Sequence, residues 1–180
     1  MLCTTSLGQT NASEWYDKGM IFYDQGKFDE AVRSFNESIN LNESISTFAC
    51  YFKGMALAEL GKLDEAIQAL DKSTELRPSD ENTSIIKGQV YLNLGELHSN
   101  ISMYYKALET FNKTIEMNPK SHDAWYLKGL TLHILGEYDK AIYAYDEAIN
   151  LDPNDSQSWY QKGYALVSRQ SYNVVKYMMY

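Results

Sequence analysis

Nine of the ten glycines in this 180-residue chain fall on a lattice. One column holds Gly19, Gly54, Gly88, Gly129 and Gly163; a second, seven residues later in each case, holds Gly26, Gly61, Gly95 and Gly136. The first column recurs with a period of about 34 residues, its first step longer by one and its third longer by seven. The three prolines keep the same beat, with Pro119 to Pro153 spanning one period and Pro78 to Pro119 one period plus the same seven. Ala31, Ala66, Ala107 and Ala141 mark a further column. A fixed period of about 20–50 residues is the mark of a stacked array, in which each unit buries its apolar face against its neighbours instead of in one central core.

Each column has a physical reading. Four residues before the first glycine stand Trp15, Cys50, Trp125 and Trp159, with Ser84 as the polar member; three residues after it come Phe22, Leu57, Tyr91, Leu132 and Leu166. Spacing i, i+4, i+7 defines one helical face. A glycine inside that face costs about 1 kcal/mol against alanine, and is tolerated where a second helix must come close. The alanine column supplies the matching surface on that second helix. The second glycine is expected in every unit as the left-handed cap that ends the first helix. A second helix then opens with acidic residues (Asp29–Glu30, Asp64–Glu65, Asp139) favourable to its N-terminal dipole. It runs with a clear apolar face through Tyr138, Ala141, Ile142, Tyr145, Ala148 and Ile149 and stops at Pro153. Ser79–Asp80, Ser121 and Asn154–Asp155 are placed to cap the helix that follows. The chain is therefore expected to be all-α, built of helix–turn–helix hairpins.

The Trp, Gly, Leu, Gly, Tyr, Ala and Pro columns resemble the tetratricopeptide repeat (TPR) family, most completely at Trp125, Gly129, Leu132, Gly136, Tyr138, Ala141, Tyr145, Ala148 and Pro153. The resemblance implies a right-handed α-solenoid of stacked antiparallel helix hairpins. It divides the chain into an N-terminal extension over 1–11 and an array over 12–180. The units are 12–45, 47–80, 81–121, 122–155 and a partial or capping unit 156–180. Three departures stand out. The family's usual leucine before the first glycine is Lys18, Lys53, Lys87, Lys128 and Lys162, read as stems packed on the hairpin with their ammonium groups in water. The third unit carries seven extra residues within Glu96–Met103, either a lengthening of helix by about two turns or a surface loop. The last unit has Gln170 where the cap glycine is expected, leaving only Tyr172–Tyr180 for a second helix.

Composition narrows the function. Hydrophobic residues make up 44% of the chain, too many for disorder, and the mean hydropathy of −0.43, with no run of about 18 apolar residues, predicts no membrane span. The formal net charge of −8 argues against nucleic-acid binding, because phosphates must be met by clustered Lys and Arg. Met1–Ser13 lacks the basic and apolar regions of a signal peptide, and Cys3 and Cys50 are lone thiols without CxxC spacing; a reducing, cytoplasmic setting is expected. His98, His122 and His133 show neither i, i+4 pairing nor a neighbouring cysteine, so no metal is expected. No phosphate-binding glycine loop, no nucleophile elbow and no calcium loop occurs, and the glycines are already accounted for by packing. The sequence predicts no enzyme and no cofactor.

What remains is the face of each first helix beside its buried stripe. It carries Tyr16, Met20, Tyr23 and Asp24; Tyr51, Met55 and Glu59; Gln89 and Asn93; Tyr126, Leu130 and His133; and Tyr160 and Tyr164. In TPR proteins this side lines the concave groove that receives partner polypeptides, so the resemblance makes these the partner-binding residues of an interaction scaffold. Tyr and Met suit such a surface, offering large apolar area, a polar handle and adaptable packing. Some of the fifteen tyrosines are equally read as filling seams between hairpins. TPR domains that clamp the C-terminal carboxylate of heat-shock chaperones use Lys and Asn at two of these columns. Tyr16 and Met20 stand there instead, with Phe52 at a second-unit Asn position, so an apolar or basic protein or peptide segment is the expected partner. The alternative is a structural or self-assembling repeat protein, or a piece of a longer array, associating into a homo-oligomer through the C-terminal helix.

Overall fold

A computed structural model describes residues 11–41 and 46–178. Most of the expected N-terminal extension, with Cys3, lies outside the described residues, as do Met179 and Tyr180. Every described element is an α-helix: α1 Ala12–Asp24, α2 Phe28–Leu41, α3 Ser46–Glu59, α4 Leu63–Leu76, α5 Glu81–His98, α6 Ile101–Met117, α7 His122–Ile134, α8 Tyr138–Leu151 and α9 Ser156–Met178. They fall into two compact units, Met1–Thr83 and Ser84–Tyr180. In the first, α1 pairs with α2, α3 pairs with α4, and α2 packs on α3. In the second, α6 packs on α7, α7 pairs with α8, and α8 packs on α9, while α5 and α6 share a cluster of Leu92, Ala107 and Phe111 with Leu127 of α7.

The glycine and alanine columns do what their chemistry demands. A Cβ at Gly19 would lie 2.5 Å from the Phe35 ring, at Gly54 2.7 Å from Leu70, and at Gly129 2.6 Å from Tyr145. Phe35, Leu70 and Tyr145 are each fully buried, as are Ala31, Ala66 and Ala141 one turn earlier on the same helices. Each hairpin thus closes by seating one large side chain on a bare stretch of backbone. At the turns Gly26, Gly61 and Gly136 take φ of 71°, 71° and 76°. The following amides reach back five residues, from Lys27 to Phe22 O, Lys62 to Leu57 O and Glu137 to Leu132 O, each at 2.9 Å, which is the Schellman closure of a helix end.

The third hairpin departs from that expectation. Gly95 is not a cap: α5 runs through it to His98, and a Cβ there would lie 2.6 Å from the Tyr104 ring. Gly88 meets Phe111 in the same way, at 2.3 Å. Seven residues up α5 and seven back down α6 therefore repeat the seat, as an antiparallel seam about two turns longer requires. The extra residues are helix, not loop, and lengthen α5 to 18 residues and α6 to 17. The turn moves to Ser99, a serine with φ 48°, and Asn100 N donates to Gly95 O at 2.9 Å, the Schellman pattern again.

The last helix also differs from expectation. With glutamine at 170 no turn forms, and α9 is one helix of 23 residues through Met178. A second helix over Tyr172–Tyr180 does not separate from it within the described residues. Only Ser158 and Ala165 of α9 are buried.

Candidate partner-binding surfaces

The first surface is built on α1 and α3. Asn11 starts α1 with a capping box: its side chain accepts from Glu14 N at 2.9 Å while its own amide donates to the Glu14 carboxylate at 3.2 Å. From that fixed start Tyr16, Met20, Tyr23 and Asp24 follow along one face. On α3 the matching residues are Tyr51, Met55 and Glu59. Phe52 joins the two helices: its ring centroid lies 6.0 Å from Tyr16, 6.2 Å from Tyr23 and 5.0 Å from Tyr51, all edge-on. Tyr16 also tilts against Phe35 at 5.9 Å. Tyr16, Met20 and Tyr23 are half-buried members of the Ala31–Phe35–Ala49–Ala56 cluster, so they fill the seam as well as facing outward.

Beyond that seam the surface turns acidic. Burial, then the Glu59, Tyr51 and Asp24 charges, push the Tyr23 hydroxyl up from its ordinary pKa. Asp24 and Glu59 are exposed. Burial and then Asp80 do the same to Tyr51. The faces of α1 and α3 thus carry clustered aromatic rings and two exposed carboxylates.

The second surface belongs to α7 and α9. Ser121 caps α7, accepting from Ala124 N at 3.3 Å, and Asp155 caps α9, accepting from Ser158 N at 3.0 Å. Tyr126 leans on Tyr145 at 6.1 Å and borders, with Ser156, Gln157, Tyr160 and Gln161, a cleft of about 520 Å³. His133 is half-buried between Tyr138 and Tyr164, ring centroids 5.5 and 5.0 Å away, and its Nε2 lies 3.2 Å from Ser168 Oγ. Tyr160 and Tyr164 are exposed at 72% and 56%. Leu130 packs against the Leu92–Phe111 cluster, giving it a core role. Gln89 is half-buried and Asn93 exposed on α5.

Several participants were not singled out from sequence. Gln161 borders the Tyr126 cleft and Ser168 meets His133 because α9 also lies against α7. A cleft of about 600 Å³ runs along the other side of this unit, between Tyr105 and Asn112 of α6 and Lys128, Lys140 and Tyr143. The lysine column has a use as well. Lys18, Lys128 and Lys162 place Nζ 4.5, 4.8 and 5.4 Å from the ring centroids of Trp15, Trp125 and Trp159, three residues earlier. The Trp-x-x-Lys spacing was legible as a cation–π pair on one helical turn. Trp125 and Trp159 in turn donate Nε1–H to Pro119 O and Pro153 O, both at 3.0 Å. The tryptophan column therefore clamps the linker, and Trp159 is 51% exposed instead of buried.

Among the described residues no helix is long and apolar enough to cross a membrane, and no group of three or more His, Cys, Asp and Glu is placed to hold a metal ion. Cys50 is a free, buried thiol whose pKa burial pushes up against the lowering effect of Lys53 and Lys72.

These hairpins, with their recurring glycine seat, glycine turn and proline exit, define a helical-repeat protein of the all-α class. Sequence models of the tetratricopeptide repeat match residues 16–81, 88–121, 122–155 and 144–173. The chain belongs to the tetratricopeptide repeat family. It is 48% identical over 60 residues to the protein MJ0572 of Methanocaldococcus jannaschii, covering 33% of this chain and 67% of that one. Among solved structures it is similar to MamA from Desulfovibrio magneticus, with 26% identity, a TM-score of 0.78, and coverage of 94% of this chain and 90% of that chain. YrrB, described as a TPR protein with an unusual peptide-binding site, is 24% identical with a TM-score of 0.72, covering 86% of this chain and 75% of its own. Family and fold together support a protein-interaction scaffold; TPR proteins are generally non-catalytic.

Proposed function

We propose that this chain is a non-catalytic binding module that receives an apolar or basic polypeptide segment on the Tyr- and Met-rich face of its first helices. The observation that carries the reading is the aromatic cluster of the first unit, where Tyr16, Tyr23 and Tyr51 stand edge-on around Phe52 while Asp24 and Glu59 are exposed on the same two helices. A lysine or arginine stem can lie on the rings while its charge faces the carboxylates. An acidic tail would find like charge there, and Tyr16, Met20 and Phe52 stand where the chaperone-tail clamp needs Lys and Asn. The peptide-binding site of YrrB, on a similar fold, adds support by analogy. A cytoplasmic setting is part of the same reading and rests on Cys50 being a free thiol.

Charge reversal tests the proposal without disturbing the core, since Asp24 and Glu59 are exposed. The wild-type chain and an Asp24→Lys/Glu59→Lys variant are titrated with labelled Lys/Arg-rich, apolar and Glu-rich amphipathic peptides. Basic peptides should bind the wild type best and lose at least tenfold on reversal. Equal binding to all three classes, or no change on reversal, ends the reading.

A further inference from the structure

We propose that the cleft bordered by α6, α7 and α8 is a binding site for a small aromatic monocarboxylate. The cleft holds about 600 Å³, within the roughly 300–1,000 Å³ usual for small-molecule sites. Leu108 and Leu132 line it together with Tyr105 and Tyr143, which are 51% and 57% exposed. These leucines and rings offer contact area to a flat apolar body. One cation is built into the wall. Lys128 of α7 is half-buried, and its Nζ lies 4.8 Å from the centroid of the Trp125 ring. That ring is itself fixed twice, by Nε1–H donated to Pro119 O at 3.0 Å and by the Tyr143 ring edge-on at 6.0 Å. The ammonium is therefore held in place before a ligand arrives, which lowers the ordering cost of binding.

The repeat itself shows what Lys128 lacks. One repeat later, Lys162 of α9 is paired with Asp146 of α8. Asp146 stands 34 residues after Asn112, as Lys162 stands 34 after Lys128. Helix α6 thus presents a neutral amide at the place from which α8 presents a carboxylate. Tyr105 likewise stands where α8 has Asp139, the partner of Arg169. Among the described residues no carboxylate pairs with Lys128, and burial alone pulls its pKa below the ordinary 10.5. The two acids that do border the cleft are engaged, Glu137 by Lys140 and Asp139 by Arg169. One half-buried positive charge is left over, and the Asn112 amide lines the same cleft as a further donor. A ligand carboxylate supplies the missing anion, and its ring lies on the tyrosines. The counterpart cleft of the first unit lacks these features. It is bordered by Lys53 together with Glu65, has Gln68 where Tyr143 stands, and holds about 210 Å³.

The test titrates the full chain with naphthoate, indoleacetate and phenylpropionate, with the neutral amide of each, and with a short peptide ending in phenylalanine. Calorimetry and amide shifts in NMR spectra read the binding. At least one acid should bind one-to-one, and its amide at least tenfold more weakly. Asn112→Asp restores the carboxylate that α8 carries and should weaken binding of the acid at least tenfold, as should Lys128→Met. Circular dichroism should show both variants as helical as wild type. Tyr143→Ala should cost severalfold. The Asp24→Lys/Glu59→Lys variant should bind the acid normally, so failure of the α1–α3 surface and failure of this site remain distinguishable. Saturable binding of none of the acids, equal affinity for acid and amide, unchanged affinity in Asn112→Asp, or tighter binding of the peptide than of every free acid would each overturn the proposal.

Discussion

Helices α7 and α9 begin alike and end differently. Trp125 and Trp159, Lys128 and Lys162, Gly129 and Gly163, and Leu132 and Leu166 each stand one repeat apart. Both tryptophans bond a proline carbonyl, and both lysines lie over their tryptophan. The divergence comes at Gly136 and Gln170. Glycine adopts φ 76°, the chain reverses, and Tyr145 is delivered onto Gly129. Glutamine stays helical, α9 runs on to Met178, and among the described residues nothing covers Gly163. The repeat pattern of a first helix therefore does not commit it to a hairpin. A single left-handed residue near the end of that helix decides whether the seat is filled.

The largest effect expected from breaking this contrast is at the filled seat. Tyr145→Ala empties a fully buried aromatic site and should cost about 3–5 kcal/mol in denaturant melts. Tyr145→Phe keeps the ring, and the hydroxyl it removes has no hydrogen-bond partner among the described residues; it should cost nothing or stabilise by up to about 1 kcal/mol. Next come the two glycines themselves, with opposite signs. Gly129→Ala puts a Cβ 2.6 Å from the Tyr145 ring and should destabilise by about 1–3 kcal/mol. Gly163→Ala meets nothing and should stabilise by up to about 1 kcal/mol through helix propensity. Equal responses at the two positions would break the comparison.

The turns give a smaller test. Gly136→Ala forces a side chain into the left-handed region and should cost about 1–2 kcal/mol. Ser99 already bears that strain at φ 48°, so Ser99→Gly should gain about 0.5–1 kcal/mol. If Ser99→Gly destabilises, the serine side chain is holding the long hairpin and its turn is not equivalent to the other three.

The seats at Gly19, Gly54, Gly88 and Gly129 were legible in the sequence because glycine inside an apolar helical face has one good explanation, close approach. The three glycine turns were legible for a different reason, because glycine at the end of an apolar helical stretch takes the left-handed cap conformation without strain. Gly95 misled because glycine serves both roles, and only the partner across the seam, Tyr104, distinguishes them. That pairing depends on where the turn falls, and a serine supplied it. Site residues were harder. Spacing places Tyr16, Tyr23 and Tyr126 beside the buried stripe of their helices, yet it cannot divide a half-buried ring between the seam and the solvent; that division depends on Phe52 and Tyr145 arriving from neighbouring helices. Tyr160 and Tyr164 are exposed because, among the described residues, no further helix packs over them.

The smallest predicted effect is a pH dependence at the joint between the two helices compared above. His133 of α7 is packed against Tyr164 and near Ser168 of α9, and burial lowers its pKa below the ordinary 6.5. The folded chain thus binds a proton less readily than the unfolded one. Its contribution is fully present above pH 6.5 and declines as the pH falls toward the folded-state value, where it levels off. Asp155, held below its ordinary 3.8 chiefly by hydrogen bonding from Ser158, acts in a lower window, losing its contribution only as the pH drops beneath 3.8. The two can be separated by following denaturation midpoints of the wild type and His133→Gln from about pH 7.5 to about pH 5.5. Wild type should lose stability across that range faster than His133→Gln, so the curves converge on the acid side. Parallel curves would mean that His133 is as free to protonate in the folded chain as in the unfolded one, and that the α7–α9 joint is looser than the α7–α8 seam beside it.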